Sequence, residues 1–241
     1  MNILVCAKQP IGNYSEHMLY PVDFSSIITA IEIKKKYGGN VTALTLGPEK
    51  SKDILKDALA LGVDKAVLIC DNVYAGSDTL ATSRILSKAI EYLGGFDLII
   101  CGEKSTDGET GQVPIELASL LKISINCSVT KIKEVNNNSI EIIKKIDNGY
   151  AEMQQYIPGI MTVNSNIVEM YRPGLQGLLN IREKGIDILT NNELKIESNK
   201  CGIKGSATCV KDLKKIKLDS NCTFFNKDAV SEIVKIIAEK S

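Results

Sequence analysis

The chain is predicted to fold in the α/β class, as a parallel sheet covered by helices with a hairpin and a C-terminal helix added. Three observations predict this. Short runs that are apolar at every position alternate with amphipathic helical stretches over the first half of the chain. The runs end in loops rich in Gly, Pro, Asp and Thr. One tight-turn sequence, Asp147-Asn148-Gly149, separates two strand-like segments further on. Strands buried on both sides cannot alternate polar and apolar residues, so the first pattern requires helices on both faces of a parallel sheet. The expected fold is Rossmann-like, and ligands of such sheets sit at the carboxyl ends of the strands.

The elements follow in order. Ile3 to Ala7 is a strand, and after a loop Phe24, Ile27, Ile28 and Ile31 share one face of a helix from Val22 to Tyr37. Val41 to Leu46 is a strand closed by Gly47-Pro48, and Ile54, Leu55, Ala58 and Leu59 mark a helix over Ser51 to Leu61. Ala66 to Cys70 is a third strand. The helix from Asp78 to Leu93 carries Ile85, Leu86, Ala89, Ile90 and Leu93 on one stripe. Leu98 to Cys101 is the fourth strand, followed by a polar loop and a helix with Val113, Leu117, Leu120 and Leu121. Ser124 to Ile132, Ser139 to Ile146 and Tyr150 to Ile157 are strand-like, the last two forming the hairpin. A polar stretch from Lys195 to Asn221 precedes a helix from about Asn226 to Glu239. The expected division is a nucleotide-binding domain over 1–194 and an arm with its helix over 195–241.

Composition narrows the function. The 241 residues are 44% apolar and 24% charged, with 29 basic and 29 acidic side chains. That is ordinary globular composition, with apolar residues enough for a sizeable core. Zero net charge removes the long-range attraction that nucleic-acid binding needs. Seven cysteines, an odd number with no CxxC pair, fit a reducing cytosol. The first residues lack a basic leader, and no stretch approaches a membrane span, so a cytoplasmic location is expected. His17, placed on the surface of the first loop, is the single histidine, which eliminates His-based triads and multi-imidazole zinc sites by counting.

The stretch Cys101 to Pro114 joins a strand end to a helix start, where backbone N–H groups and the helix dipole form an anion cradle. Gly102, Gly108 and Gly111, with Ser105, Thr106 and Thr110, allow a pyrophosphate to approach closely. A solvated loop with turn glycines is the competing reading, since neither GxGxxG nor GxxxxGK[ST] is present. Asp78, Thr79, Thr82 and Ser83 open a helix and either cap it or face a ligand. Asp107 and Glu109 are a candidate carboxylate pair, or two solvated turn residues.

These segments together resemble the beta subunit of electron transfer flavoproteins. The resemblance is carried by Ile3-Leu4-Val5-Cys6-Ala7-Lys8, Pro21 and Asp23, Leu46-Gly47-Pro48, Ala58-Leu59-Ala60-Leu61-Gly62-Val63-Asp64, Asp78 to Ser83, and Asp107-Gly108-Glu109-Thr110-Gly111-Gln112-Val113. It runs from the N-terminus to about Leu194. It implies a heterodimer in which an alpha subunit holds a redox-active FAD and the beta subunit has a second nucleotide site. In simple carriers that site holds structural AMP; in bifurcating members it holds a second FAD, which takes a hydride from NADH and divides the electron pair. The Asp78 and Asp107 segments look more like the bifurcating type, so FAD is expected, with AMP as the alternative.

The binding residues implied are Cys6, Ala7, Lys8, Asp23, Leu46, Asp78, Thr79, Thr82, Gly102, Ser105, Thr106, Asp107, Gly108, Glu109, Thr110, Gly111, Gln112 and Val113. No catalytic side chain and no metal site is expected. The chain departs from the family pattern at Tyr20-Pro21-Val22-Asp23, where Asn-Pro-aromatic-Asp is usual. Its first loop is shorter, the Gly before Pro114 is missing, and Glu103-Lys104-Ser105 replaces Arg-Gln-Ala. A second segment, Tyr171 to Lys184, resembles the recognition loop in which Leu175 anchors a partner dehydrogenase. Leu175, Leu178 and Leu179 as core residues of a short helix is the other reading. Partners implied are the alpha subunit, an acyl-CoA or other flavin dehydrogenase, and, for a bifurcating member, NADH and ferredoxin or flavodoxin. A free-standing ATP-dependent enzyme is disfavoured by the absent P-loop.

Overall fold

In the computed structural model, residues 1–9, 19–105, 107–169, 171–210, 225–226 and 229–239 are described. The expected surface position of His17 lies outside them. The chain divides into two units, Met1–Cys209 and Val210–Ser241.

In the first unit, strand β1 (Asn2–Cys6) leads to helix α1 (Pro21–Tyr37), β2 (Asn40–Leu46), α2 (Lys52–Leu61) and β3 (Lys65–Ile69). Helix α3 (Thr79–Tyr92) then carries the chain to β4 (Leu98–Gly102), and α4 (Gln112–Leu121) leads to β5 (Ser124–Val135), β6 (Ser139–Ile146), β7 (Gly149–Tyr156) and β8 (Gly159–Val163). Helix α5 (Leu175–Glu183), β9 (Ile186–Leu189) and the short helices α6 (Asn191–Leu194) and α7 (Gly202–Gly205) complete the unit. The nine strands form one sheet in the order β7-β6-β5-β8-β4-β1-β2-β3-β9. The pairs from β5 across to β9 are all parallel, and β6 and β7 are added at the β5 edge by the antiparallel β5-β6 and β6-β7 pairs. The expected parallel sheet with a hairpin is what forms.

The cause is visible in β1. Ile3, Leu4 and Val5 are all fully buried, but Ile3 and Val5 pack with α1 and α2 while Leu4 packs with α3 and α4. Side chains alternate faces, so a strand with helices on both sides is apolar throughout. The predicted stripes pack with Phe24, Ile27, Ile28, Ile54, Leu55, Ala58 and Leu59 on one face and Ile85, Leu86, Ala89, Ile90 and Leu117 on the other, whereas Leu120, expected on the α4 stripe, is exposed. Pro21 starts α1 at a position that needs no N–H, and Gly62, left-handed at φ 118°, ends α2.

Two strands were not expected. β8 is a five-residue, wholly buried run inserted between β4 and β5, and β9 adds an edge beyond β3. The first unit also continues past residue 194. Ile196 and Cys201 are buried in the α3/α4 side of the core, and Asn191 exchanges hydrogen bonds with the Ile196 backbone. In the second unit, α8 (Val230–Glu239) is amphipathic, with Val230, Val234 and Ile237 exposed.

Candidate functional site

Chain order places the site. From β1 the chain winds one way through α1, β2, α2 and β3; α3 then brings it back to β4 on the other side of β1. The loops after β1 and β4 therefore diverge to opposite faces and leave a crevice at the carboxyl ends of those strands.

Lys8, just after β1, bridges this crevice. Its ammonium lies 2.6 Å from the Asp107 carboxylate in the β4–α4 loop, and its backbone N–H donates to Asp23 Oδ2 at 3.2 Å. Partial burial disfavours ionised Asp107, but hydrogen bonds from Lys8 and Ser105 outweigh it and hold the carboxyl below its usual range. Asp23, in the first turn of α1, is buried, and burial pushes its carboxyl up to about 7 despite the Lys8 backbone bond. Gly102 permits this closeness. A Cβ there would stand 2.8 Å from Val22 Cγ2 and 3.3 Å from Asp23 Oδ1.

The raised Asp23 group gives a pH prediction. Between the ordinary carboxylate range and about 7, native Asp23 holds a proton that the unfolded chain releases, so its contribution is present at acid pH and is lost as pH rises through 7. Asp23→Asn should therefore be more stable than the parent at pH 8, by roughly 2–4 kcal/mol at ~1.4 kcal/mol per unit, and not at pH 4. Urea unfolding at both values checks this. An equal difference at the two values would assign the effect to packing.

The β4–α4 loop has the geometry of an anion cradle. Gly111, left-handed at φ 61°, precedes α4 without a side-chain cap, and in the first turn Gln112 N–H makes a long 3.5 Å bond to Thr110 Oγ1. Helix N–H groups left this way attract anions. Glu109 is also left-handed, at φ 48°, and its N–H donates to Ser105 O. Strain of this kind in a non-glycine residue collects at ligand sites. Gly108 differs from Gly111. It has no left-handed backbone, and an added Cβ would meet nothing nearer than Ser105 Oγ at 3.7 Å, so the glycine-only backbone argument holds at Gly111 and not at Gly108. Thr106 lies outside the described residues.

The remaining expected residues fall into two groups. Cys6 and Ala7 adjoin Lys8 at the end of β1, with Ala7 N–H bonded to Leu44 O, and Leu46 ends β2 beside them. Gln9 Oε1 and Thr45 Oγ1, near these strand ends, are buried without a protein partner. Val113 is half-buried in the first turn of α4. The α3 N-terminus, by contrast, is already engaged by the protein. Asp78 caps it through Ala81 N–H at 2.9 Å and accepts from the Thr208 N–H and hydroxyl. Burial opposes its ionisation, and these bonds hold it below the usual range. Thr79 donates to Glu116 Oε1 at 3.1 Å and Ser83 to Glu116 Oε2 at 2.9 Å, so Glu116 ties α3 to α4; Thr82 is half-buried beside them.

Sequence reasoning missed Glu116. It also missed the Glu103 carboxylate, which accepts from Ser128 Oγ at 2.7 Å on a left-handed residue of β5. Neither pairing has a local signal. Among the described residues no cluster of three or more His, Cys, Asp or Glu could hold a metal.

Leu175, at the start of α5, is 76% exposed, and Leu178 and Leu179 are exposed as well. They are not core residues. The helix sits on α2 through Gly177, where a Cβ would stand 2.1 Å from Ala60 O.

Comparison with known proteins gives one family. Residues 12–187 match the electron transfer flavoprotein domain. The chain is 34% identical over 227 residues to the electron transfer flavoprotein subunit beta of Thermoanaerobacterium thermosaccharolyticum, covering 87% of this chain and 86% of that one. It is 31% identical to Protein FixA of Azorhizobium caulinodans, over 88% of this chain and 83% of the relative. It is 29% identical to the caffeyl-CoA reductase-Etf complex subunit CarD of Acetobacterium woodii, over 87% and 86%.

Proposed function

The chain belongs to the electron transfer flavoprotein family, as a beta subunit, and from that premise we propose that it binds FAD in the β1/β4 crevice and works in a heterodimer with an alpha subunit. The pair carries electrons between NADH or a flavin dehydrogenase and its acceptors, in the bifurcating manner, with ferredoxin or flavodoxin as the low-potential acceptor. The observation that carries this is the Lys8–Asp107 ion pair, which ties the end of β1 to the loop that leads into an α4 N-terminus with no side-chain cap. The name of the Acetobacterium relative, which places it in a reductase complex, supports a flavin-dependent reductase or dehydrogenase as partner.

The residues fit a nucleotide. Buried polar atoms of Gln9 and Thr45 lack partners, α4 starts without a side-chain cap, and a Cβ at Gly108 would meet nothing nearer than Ser105 Oγ at 3.7 Å. Cys6, Ala7 and Leu46 border the adenosine half, and the loop meets the phosphates at Thr110 and Gly111, since the Gly108 and Glu109 N–H groups already donate to Asp107 Oδ1 and Ser105 O. When bound, the flavin supplies the redox chemistry, taking up a hydride and releasing single electrons. Lys8 contributes positive charge already oriented by Asp107. Asp23 stays protonated up to about neutral pH, so the crevice does not add a second negative charge beside the phosphates.

One observation favours AMP instead: Asp78 and Thr79 are bound to Thr208 and Glu116, which leaves the α3 N-terminus filled by protein. Extraction of the purified heterodimer decides: two FAD per pair support FAD in this site, and one FAD with AMP in the extract supports AMP. Among the described residues no helix is long and apolar enough to cross a membrane, and we place the protein in the cytoplasm.

Exposed Leu175 serves as the anchor for the partner dehydrogenase. Leu175→Ala should leave flavin content and folding unchanged while slowing electron transfer to that partner about tenfold or more, the cost of truncating an interface anchor. Unchanged partner kinetics would remove Leu175 from the docking surface.

A further inference from the structure

Cys6 and Cys101 are in-register partners on adjacent parallel strands, β1 and β4, at the carboxyl edge of the sheet. Paired residues on neighbouring strands point to the same face, and both pack on the α3/α4 side. Strands stand about 4.8 Å apart, inside the ~4.4–6.8 Å Cα separation that a disulfide spans. Cys127, the other thiol acting on Cys101, sits on β5 with β8 between it and β4. Two strand spacings, about 9.6 Å, exceed that span. Cys6 is thus the partner within reach.

Access differs between the two. Cys101 is 4% exposed, whereas Cys6 is half-buried at the mouth of the crevice. Both are free thiols. The Cys101 thiol is raised well above its usual range, first by its interaction with Cys6 and then by burial. A more accessible thiol that reacts first, backed by a buried one that resolves it, is the arrangement of a dithiol couple.

We propose that Cys6 and Cys101 form a dithiol–disulfide couple across the floor of the nucleotide crevice, with a small-molecule disulfide as oxidant. Cys6 thiolate attacks one sulfur of the oxidant, forming a mixed disulfide and releasing one thiolate. Cys101, giving up its proton, attacks Cys6 Sγ, forms the internal bond and releases the second thiolate. The protein loses two electrons and two protons, and the oxidant becomes two thiols. The couple itself does not depend on a nucleotide. Its shielding by one rests on the function proposed above, because that reading puts the adenosine over Cys6.

The test is oxidation of the native full-length chain with oxidised glutathione, followed by alkylation and peptide mass mapping. The expected product is a Cys6–Cys101 linked peptide with loss of both thiols. Cys101→Ala should stop at a glutathione adduct on Cys6, and Cys6→Ser should leave Cys101 free. A stable Cys6 adduct in the parent chain, an unreactive Cys6, or a bridge to any other cysteine overturns the couple. Added AMP, at about 100 times its Kd, should slow the Cys6 reaction about a hundredfold. A bridge that forms at the same rate with AMP keeps the couple and removes the adenosine from Cys6, so the two readings fail separately.

Discussion

A Gly108→Val variant is expected to lose the beta-subunit nucleotide while keeping its fold. The loop offers α4 N–H groups that no side chain caps, and a phosphate reaches them only if the chain before them stays thin. Within the protein, a side chain at 108 has room: the nearest atom to its Cβ is Ser105 Oγ at 3.7 Å, and no left-handed backbone is required. The branched side chain therefore occupies ligand space and leaves protein packing intact. Gly111→Val is the contrasting case. There the backbone is left-handed and a Cβ would press on Glu103 O at 3.1 Å, so strain and lost nucleotide arrive together. With FAD in the crevice, absorbance after denaturation should find two flavins per parent heterodimer, NADH reduction in the parent, and one flavin in Gly108→Val. One flavin in the parent with AMP in the extract would replace FAD by AMP. A variant that keeps its full nucleotide, of either kind, would move the site away from this loop.

How much of this was legible in the sequence follows from the range of each interaction. Ile3, Leu4 and Val5 announce a strand covered on both faces, and Asp147-Asn148-Gly149 announces the hairpin, because both signals lie within a few residues. The capping role of Asp78 is equally local, three residues from Ala81. β8 carries no such signal. Gly159–Val163 is a short apolar run after Ile157-Pro158, and its place between β4 and β5 is decided by tertiary pairing. The same holds in the site. A topological rule locates the crevice, but the meeting of Lys8 with Asp107, 99 residues apart, and of Asp78 with Thr208, 130 apart, is fixed by the folded chain. Residues 195–209 look like a polar arm in sequence because their anchors are long-range: buried Ile196 and Cys201, and hydrogen bonds at Gly202, Gly205, Ser206 and Thr208.

Those anchors determine where the chain can be cut. Ending it at Cys209 should leave the first unit folded and abolish pairing with the alpha subunit, whereas ending it at Leu194 should also destabilise the unit itself. The shorter chain loses buried Ile196 and Cys201, at roughly 1.5–3 kcal/mol for a large apolar side chain. It also strips Asp78 of its Thr208 and Ser206 bonds and Arg84 of the Gly205 carbonyl. The longer chain loses α8, a ten-residue helix with Val230, Val234 and Ile237 exposed. A helix of that length is marginal in water by itself and is held by the apolar surface that covers its stripe. We assign that surface to the alpha subunit, as the proposed heterodimer requires. Unfolding curves separate the two truncations, and co-elution with the alpha subunit reads the pairing. A chain ending at Cys209 that co-elutes with unchanged affinity would show that 210–241 plays no part in holding the subunits together.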